Sequence, residues 1–126
     1  MMLRNILIVG FGGSIGSIAR YLCQKYIYEL HPQPFPFGTL LVNVLGCFLI
    51  GLFFGISERG NFFDTEARLL LMAGFCGGFT TFSAFALENI NLLKTGHFAY
   101  FGIYTSLSLI LGIGAVWLGT SFVKLF

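Results

Sequence analysis

Charge is scarce in this chain. Seven lysines and arginines and five aspartates and glutamates make up 10% of its 126 residues, where a soluble domain carries about one quarter. With 56% hydrophobic residues, there is too little polar surface to cover the molecule in water, which excludes an ordinary soluble globule. Cysteine is sparse as well. Cys23, Cys47 and Cys76 are odd in number, form no C-x-x-C pair and fall within apolar runs. That excludes a disulfide framework or a cysteine-spaced metal site and leaves buried, inert thiols. His31 and His97 stand alone near the ends of connections and read as interfacial side chains. No Ser/His/Asp set, histidine cluster or basic stripe occurs, so neither an enzymatic step nor nucleic-acid binding has residues to rest on.

What the chain has in abundance is apolar length. A helix crosses about 30 Å of hydrocarbon in roughly 20 residues. Four stretches qualify: Asn5 to Gln24, Pro32 to Ser57, Leu69 to Leu87 and Phe98 to Val123. The first begins like a secretory signal, with Arg4 before Ile6–Val9. No A-x-A site follows, and Gly10, Gly12, Gly13 and Gly16 interrupt the run, so it is kept as a span. The connections Lys25–Pro36, Glu58–Arg68 and Lys94–His97 are too short to fold alone. Residues 1–126 therefore form one membrane-embedded domain without a linker.

Four spans bring both termini to one face. Arg4, Arg59, Arg68 and Lys124 lie there; Arg20, Lys25 and Lys94 lie opposite. Because basic residues normally fix insertion, so even a balance points to insertion both ways round, with oppositely oriented copies paired about an axis in the membrane plane. Gly12-x-x-x-Gly16, Gly51-x-x-x-Gly55 and Gly74-x-x-x-Gly78 allow close helix approach, either between copies or inside one.

The run Ile6-Leu-Ile-Val-Gly-Phe-Gly-Gly-Ser-Ile-Gly16 imitates a dinucleotide-binding turn. Ile15 occupies the place of its third glycine, and no βαβ unit can be built around it. The third span is more informative: Gly74-Phe-Cys-Gly-Gly-Phe-Thr-Thr-Phe-Ser-Ala-Phe85. Paired glycines followed by paired threonines can be a helix break whose freed backbone is satisfied by hydroxyls, or a continuous helix with small residues for packing. Carbonyls freed by a break would be hard ligands for a small cation.

Phe82 and Phe85 share a helix face, with Ser83 between them and Thr80 and Thr81 before them. Phenylalanines so spaced are ordinarily packing; here the positive ring edges, together with an amide N–H, can also solvate an anion without trapping it. Asn43 stands in Gly38–Gly55, a stretch otherwise nearly free of strong hydrogen-bonding groups, and serves as interhelical glue or as part of a pathway. Glu88 follows Phe85 on the same face as a pathway group or a solvated carboxylate. Arg20 snorkels to the headgroups or forms a positive vestibule. Tyr104 and Ser108, four apart with Thr105 beside them, form a polar stripe.

Together these segments resemble the Fluc/CrcB fluoride-channel family. Gly12-Gly-x-x-Gly16-x-x-x-Arg20-Tyr21 is similar to its first-helix motif, and Gly38-Thr39-Leu40-x-x-Asn43-x-x-Gly46-x-Phe48-x-x-Gly51 to its second. Gly74-Phe75-x-Gly77-Gly78-x-Thr80-Thr81-Phe82-Ser83-x-Phe85 is similar to the third-helix signature, and Tyr104 and Ser108 match polar positions of the last helix. Ala84 and Gly112 stand where the family commonly carries hydroxyls.

The resemblance implies an all-α membrane protein with four transmembrane helices per protomer, the third broken near the membrane centre, paired as an antiparallel homodimer. It implies passive fluoride export across a prokaryotic plasma membrane through two pathways lined by Asn43, Phe82, Phe85, Ser83, Thr81, Tyr104, Ser108 and Glu88, with Arg20 in the vestibule. It also implies a structural sodium ion at the dimer axis on the carbonyls of Gly77 and Thr80. The competing reading is a small proton-coupled multidrug exporter, which requires a carboxylate buried in the first span; a third class is a membrane assembly subunit without transport. Three lysines added to one connection are expected to lock insertion and abolish function of the variant alone, with activity restored by an oppositely biased partner. Cell-based fluoride resistance reads this out, and full activity of one locked form would exclude obligate antiparallel pairing.

Overall fold

The computed structural model describes residues 1–60 and 63–125. It is helical throughout: α1 (Met2–Leu30), α2 (Phe37–Glu58), α3 (Thr65–Arg68), a π-helical segment (Leu69–Cys76), α4 (Gly77–Phe79), α5 (Phe82–Lys94) and α6 (Phe98–Val123). Four stretches are long and apolar enough to cross a membrane: α1, α2, Thr65–Lys94 and α6. The fourth coincides with the limits read from the sequence. The others shift: α1 runs on through Lys25, α2 starts at Phe37 instead of Pro32, and the third begins at Thr65.

Each boundary has a local cause. Proline lacks an N–H and disfavours helix in the residue before it, so Pro32, Pro34 and Pro36 keep the chain from turning directly into α2, for which Pro36 is the cap. Asp64 opens α3 by accepting the Ala67 N–H at 2.8 Å, the usual service of an aspartate N-cap. Its neighbour Glu66 pairs with Arg4. At the end of α5, Gly96 takes φ +80°; His97 N–H returns to the Leu92 carbonyl at 2.8 Å and Gly96 N–H to Leu93 at 3.2 Å. That is a Schellman closure, which needs a left-handed residue at this position.

The helices pack as two seams. In one, α1 lies against the π-helical segment and α4; in the other, α2 lies on α6. Glycine sets the separation in both. A Cβ on Gly12 would stand 2.4 Å from the Leu70 carbonyl oxygen, on Gly16 2.3 Å from that of Phe75, and on Gly78 2.5 Å from that of Gly13. In the second seam, Gly51 faces the Val116 carbonyl at 2.3 Å and Gly119 faces that of Phe48 at 2.4 Å. The glycine pairs are thus spent inside the protomer, which decides between the two readings the sequence left open. The lipid-length helices meanwhile leave much apolar surface outward, with Phe11, Tyr21, Ile113 and Trp117 all exposed.

Gly16→Ala and Gly51→Ala are expected to destabilise the folded protein by about 1–3 kcal/mol, since an added methyl would push on backbone carbonyls. Gly102, with nothing within 4 Å of its would-be Cβ, is the control: Gly102→Ala should hold or gain stability, by about 0.5–1 kcal/mol from helix propensity. Thermal unfolding in detergent distinguishes the two classes, and equal effects would remove the seam account.

Candidate functional site

The third span is interrupted where paired glycines meet paired threonines. Thr80 (φ −88°, ψ 158°) and Thr81 (φ −150°, ψ 121°) are extended between α4 and α5. An extended pair removes the i→i−4 register, so backbone groups on both sides need other partners. Thr80 is satisfied locally, its N–H and its hydroxyl both donating to the Cys76 carbonyl, at 3.0 and 2.9 Å. Thr81 caps α5 by accepting the Ala84 N–H on its hydroxyl at 3.2 Å.

Asn43, from the second turn of α2, completes the gap. Its Oδ1 accepts the Thr81 N–H at 2.8 Å, and its Nδ2 donates to the Thr81 carbonyl at 3.0 Å. The paired contacts fix which way the amide faces, because the N–H requires the oxygen and the carbonyl requires the nitrogen. They also divert an N–H that an unbroken helix would give to Gly77. One amide hydrogen on Nδ2 is left for the space beside it.

That space is a cavity of about 360 Å³ lined by Asn43, Thr80, Thr81, Phe82, Phe85 and Ser108, among others. Gly77 and Gly112 reach it as well. Ser108 presents a buried hydroxyl with no partner, so this cavity contains an unspent donor. Phe82 and Phe85 stand with centroids 5.6 Å apart, and Phe85 stands 5.1 Å from Tyr104. Phe82 is 77% exposed, so one side of this site is open on the protomer. Ser83 is exposed at the same end, its hydroxyl 3.4 Å from that of Thr81.

A second polar group lies a turn along α5. Glu88 accepts the Thr39 hydroxyl at 2.8 Å on one oxygen and the Tyr104 hydroxyl at 2.9 Å on the other. Gln24 donates to Thr39 at 2.9 Å, which links α1, α2, α5 and α6 through side chains. Glu88 is therefore a partly buried, doubly hydrogen-bonded carboxylate and not one merely solvated at a helix end. Tyr104 is wholly buried, edge-on to Phe35. Beyond this group a cavity of about 570 Å³, lined by Gln24, His31, Thr39, Glu88, Asn91 and His97 among others, opens outward.

Arg20 does not reach away from the helices. Its Nε donates to the Gly78 carbonyl at 3.2 Å. Asn43, Thr81, Phe82, Phe85 and Ser108 thus share one cavity, Glu88 and Tyr104 share the adjoining polar cluster, and Arg20 sits on the far side of the interruption. Gln24 and Thr39 were not singled out from the sequence as site residues; Thr39 lay in a quoted motif, and Gln24 carried no signal beyond being a polar residue at a span's end. Among the described residues, no group of three or more His, Cys, Asp or Glu is placed to hold a metal. The oxygens near the interruption are backbone carbonyls, the Thr80 and Thr81 hydroxyls and the Asn43 amide, all neutral hard ligands suited to an alkali cation.

Comparison with known proteins gives one consistent answer. The profile of a family described as "CrcB-like protein, Camphor Resistance (CrcB)" matches residues 7–120. A protein of Leptospira interrogans named "Fluoride-specific ion channel FluC" is 46% identical over 123 residues, covering 98% of this chain and 97% of its own length. Proteins of the same name from Bacteroides fragilis and Azobacteroides pseudotrichonymphae are 46% identical over 120 residues and 42% identical over 118. These cover 93% and 94% of this chain, and 94% of each relative. With a matching profile across most of its length and relatives this close end to end, the chain belongs to the CrcB-like family.

Proposed function

We propose that this multi-pass membrane protein is a fluoride channel that passively exports the ion across the cell membrane as an antiparallel homodimer with two pathways. The observation that carries the reading is the cavity beside the Thr80–Thr81 interruption, where an Asn43 amide hydrogen, the unpartnered Ser108 hydroxyl and the Phe82 and Phe85 rings converge without a fixed positive charge. Such donors can replace part of an anion's hydration, and a full cation would hold it too long to conduct. Ring edges suit this because the quadrupole is positive there. The names borne by the relatives agree with it.

The exposure of Phe82 fits a pathway completed by a second copy. In that copy, inserted the other way round, the same ring approaches from the opposite side. The Thr39 and Tyr104 hydroxyls spend their single protons on Glu88, which makes this cluster a hydrogen-bonded polar wall between this cavity and the outer one. The multidrug-exporter reading lacks its key group: Glu29 is the one carboxylate of α1, exposed in its last turn.

The interruption, read as a break near the bilayer centre, also fits a sodium ion. With Thr81 N–H diverted to Asn43 and Thr80 extended, the carbonyls of Gly77 and Thr80 are released from helix hydrogen bonding, and Gly77 is exposed on the protomer. In an antiparallel pair those two carbonyls would meet their counterparts across the axis and hold the ion. Bound sodium would supply a fixed positive charge that offsets carbonyl repulsion and lowers the cost of a nearby anion.

Fluoride efflux from liposomes containing only this protein tests the function, with chloride and an organic cation run beside it. Ser108→Ala and Phe82→Leu, which leave the Asn43–Thr81 contacts in place, should each cut fluoride efflux roughly tenfold or more, since each removes a partner of the passing anion and losing a hydrogen bond to a charged group costs about 1.5–3 kcal/mol. Gel filtration should show the dimer intact. Efflux of the organic cation but not fluoride would overturn the function, and unchanged efflux in both variants would overturn the pathway.

A further inference from the structure

We infer that Arg20 is a positioning residue for the helix interruption, acting through the Gly78 carbonyl, and not a vestibule charge. In an unbroken helix the carbonyls of Gly77, Gly78, Phe79 and Thr80 would receive the N–H groups of residues 81 to 84. The extended pair Thr80–Thr81 takes those donors away. Thr81 N–H goes to Asn43 and Ala84 N–H to the Thr81 hydroxyl. Phe82 N–H, now the first of α5, is carried out of reach of Gly78.

A buried carbonyl without a donor costs about 1–3 kcal/mol. At Gly78 the donor is replaced from outside the span, by Arg20 Nε at 3.2 Å. Arg20 is brought there by the glycine seam. One turn earlier on the same helix, Gly16 lets α1 approach until a Cβ would stand 2.3 Å from the Phe75 carbonyl oxygen and 2.9 Å from the Phe79 nitrogen. The carbonyl that Arg20 grips is that of Gly78, whose ψ has little intrinsic restraint because glycine lacks a Cβ. Asn43 and Arg20 therefore clamp the interruption from opposite sides, α2 holding Thr81 and α1 holding Gly78. Arg20 keeps the Gly78 carbonyl turned toward itself, which removes it from the carbonyls of Gly77, Phe79 and Thr80 that the lost donors leave open.

This rests on the sodium and fluoride reading above, and side-chain geometry offers a way to test it separately. Glutamine carries Nε2 the same number of bonds from the backbone as arginine carries Nε, so Arg20→Gln keeps the donor and loses the charge. Arg20→Lys keeps the charge and places its nitrogen one bond too far. Protein reconstituted in defined sodium is assayed for fluoride efflux against sodium concentration, and for thermal stability against sodium in detergent. Arg20→Lys should raise the half-effective sodium concentration about tenfold or more, the equivalent of ~1.4 kcal/mol, in both assays. Arg20→Gln should remain within about twofold, well under the effect of one lost hydrogen bond. Neither should alter the dependence on fluoride concentration.

A wild-type Arg20→Lys sodium profile, or an Arg20→Gln profile displaced as far as that of Arg20→Lys, overturns the inference. Weakened fluoride dependence in Arg20→Gln at low ionic strength, restored in Arg20→Lys, establishes a vestibule charge instead. If Arg20→Lys does not assemble, Arg20→Met, which lacks both donor and charge, must show the same displacement in the stability titration. A wild-type protein indifferent to sodium in both assays defeats the sodium site itself, whereas a sodium-dependent wild type with unaffected variants defeats Arg20 alone.

Discussion

Two hydrogen bonds from one amide hold a helix apart. Asn43 meets both the N–H and the carbonyl of Thr81, and without that exchange the extended pair Thr80–Thr81 would leave polar backbone unpaired among apolar helices. The cost of such groups in hydrocarbon is several kcal/mol each, which is why irregular backbone inside a membrane survives only where protein or a cavity satisfies it. The same contact decides where the cavity lies. It ends α4, starts α5 with a threonine cap, and points an amide hydrogen toward Ser108 and the phenylalanines. A small helix-to-helix contact thereby converts a packing element into the lining of a cavity.

The contact depends in turn on the glycine seams. Asn43 can reach Thr81 only because α2 passes close to the interruption, with Gly46 admitting the Thr80 methyl, whose carbon stands 2.2 Å from where a Cβ would lie. Gly12, Gly16 and Gly78 draw α1 onto the other side. Both helices gain close van der Waals packing, which matters more in lipid than in water because no hydrophobic force presses helices together there. Since these glycines are used up within the protomer, the second copy proposed above would bind through other surface. The outward apolar side chains, Phe82 included, offer it.

Much of this was legible in the sequence, for physical reasons that can be named. Scarce charge and four long apolar runs announced the helices, because bilayer thickness converts directly into residue count. Gly77-Gly78 followed by Thr80-Thr81 marked the site of the interruption by combining low helix propensity with local hydrogen-bonding groups. Asn43 stood out as the polar residue of an apolar run, and the structure gives it the partner that a lone amide needs. Less was visible where meaning lies in tertiary distance. Arg20 read as a snorkelling or a vestibule charge, because a sequence does not show which carbonyl of another helix stands within reach of its Nε. Glu88 read equally as a pathway group or a solvated carboxylate, since Thr39 and Tyr104 come to it from other helices. The π-helical turn at Leu69–Cys76 had no compositional sign, and we have no physical account of it.

As proposed, an amide-and-aromatic cavity with no fixed positive charge among its donors passes fluoride down its own gradient. Currents through purified protein in a planar bilayer test this most directly, under a fluoride gradient with chloride present and a pH gradient imposed in either direction. The reversal potential is expected at the fluoride equilibrium potential, unmoved by pH. A reversal potential that follows the proton gradient, or that settles at the chloride equilibrium potential, would contradict it.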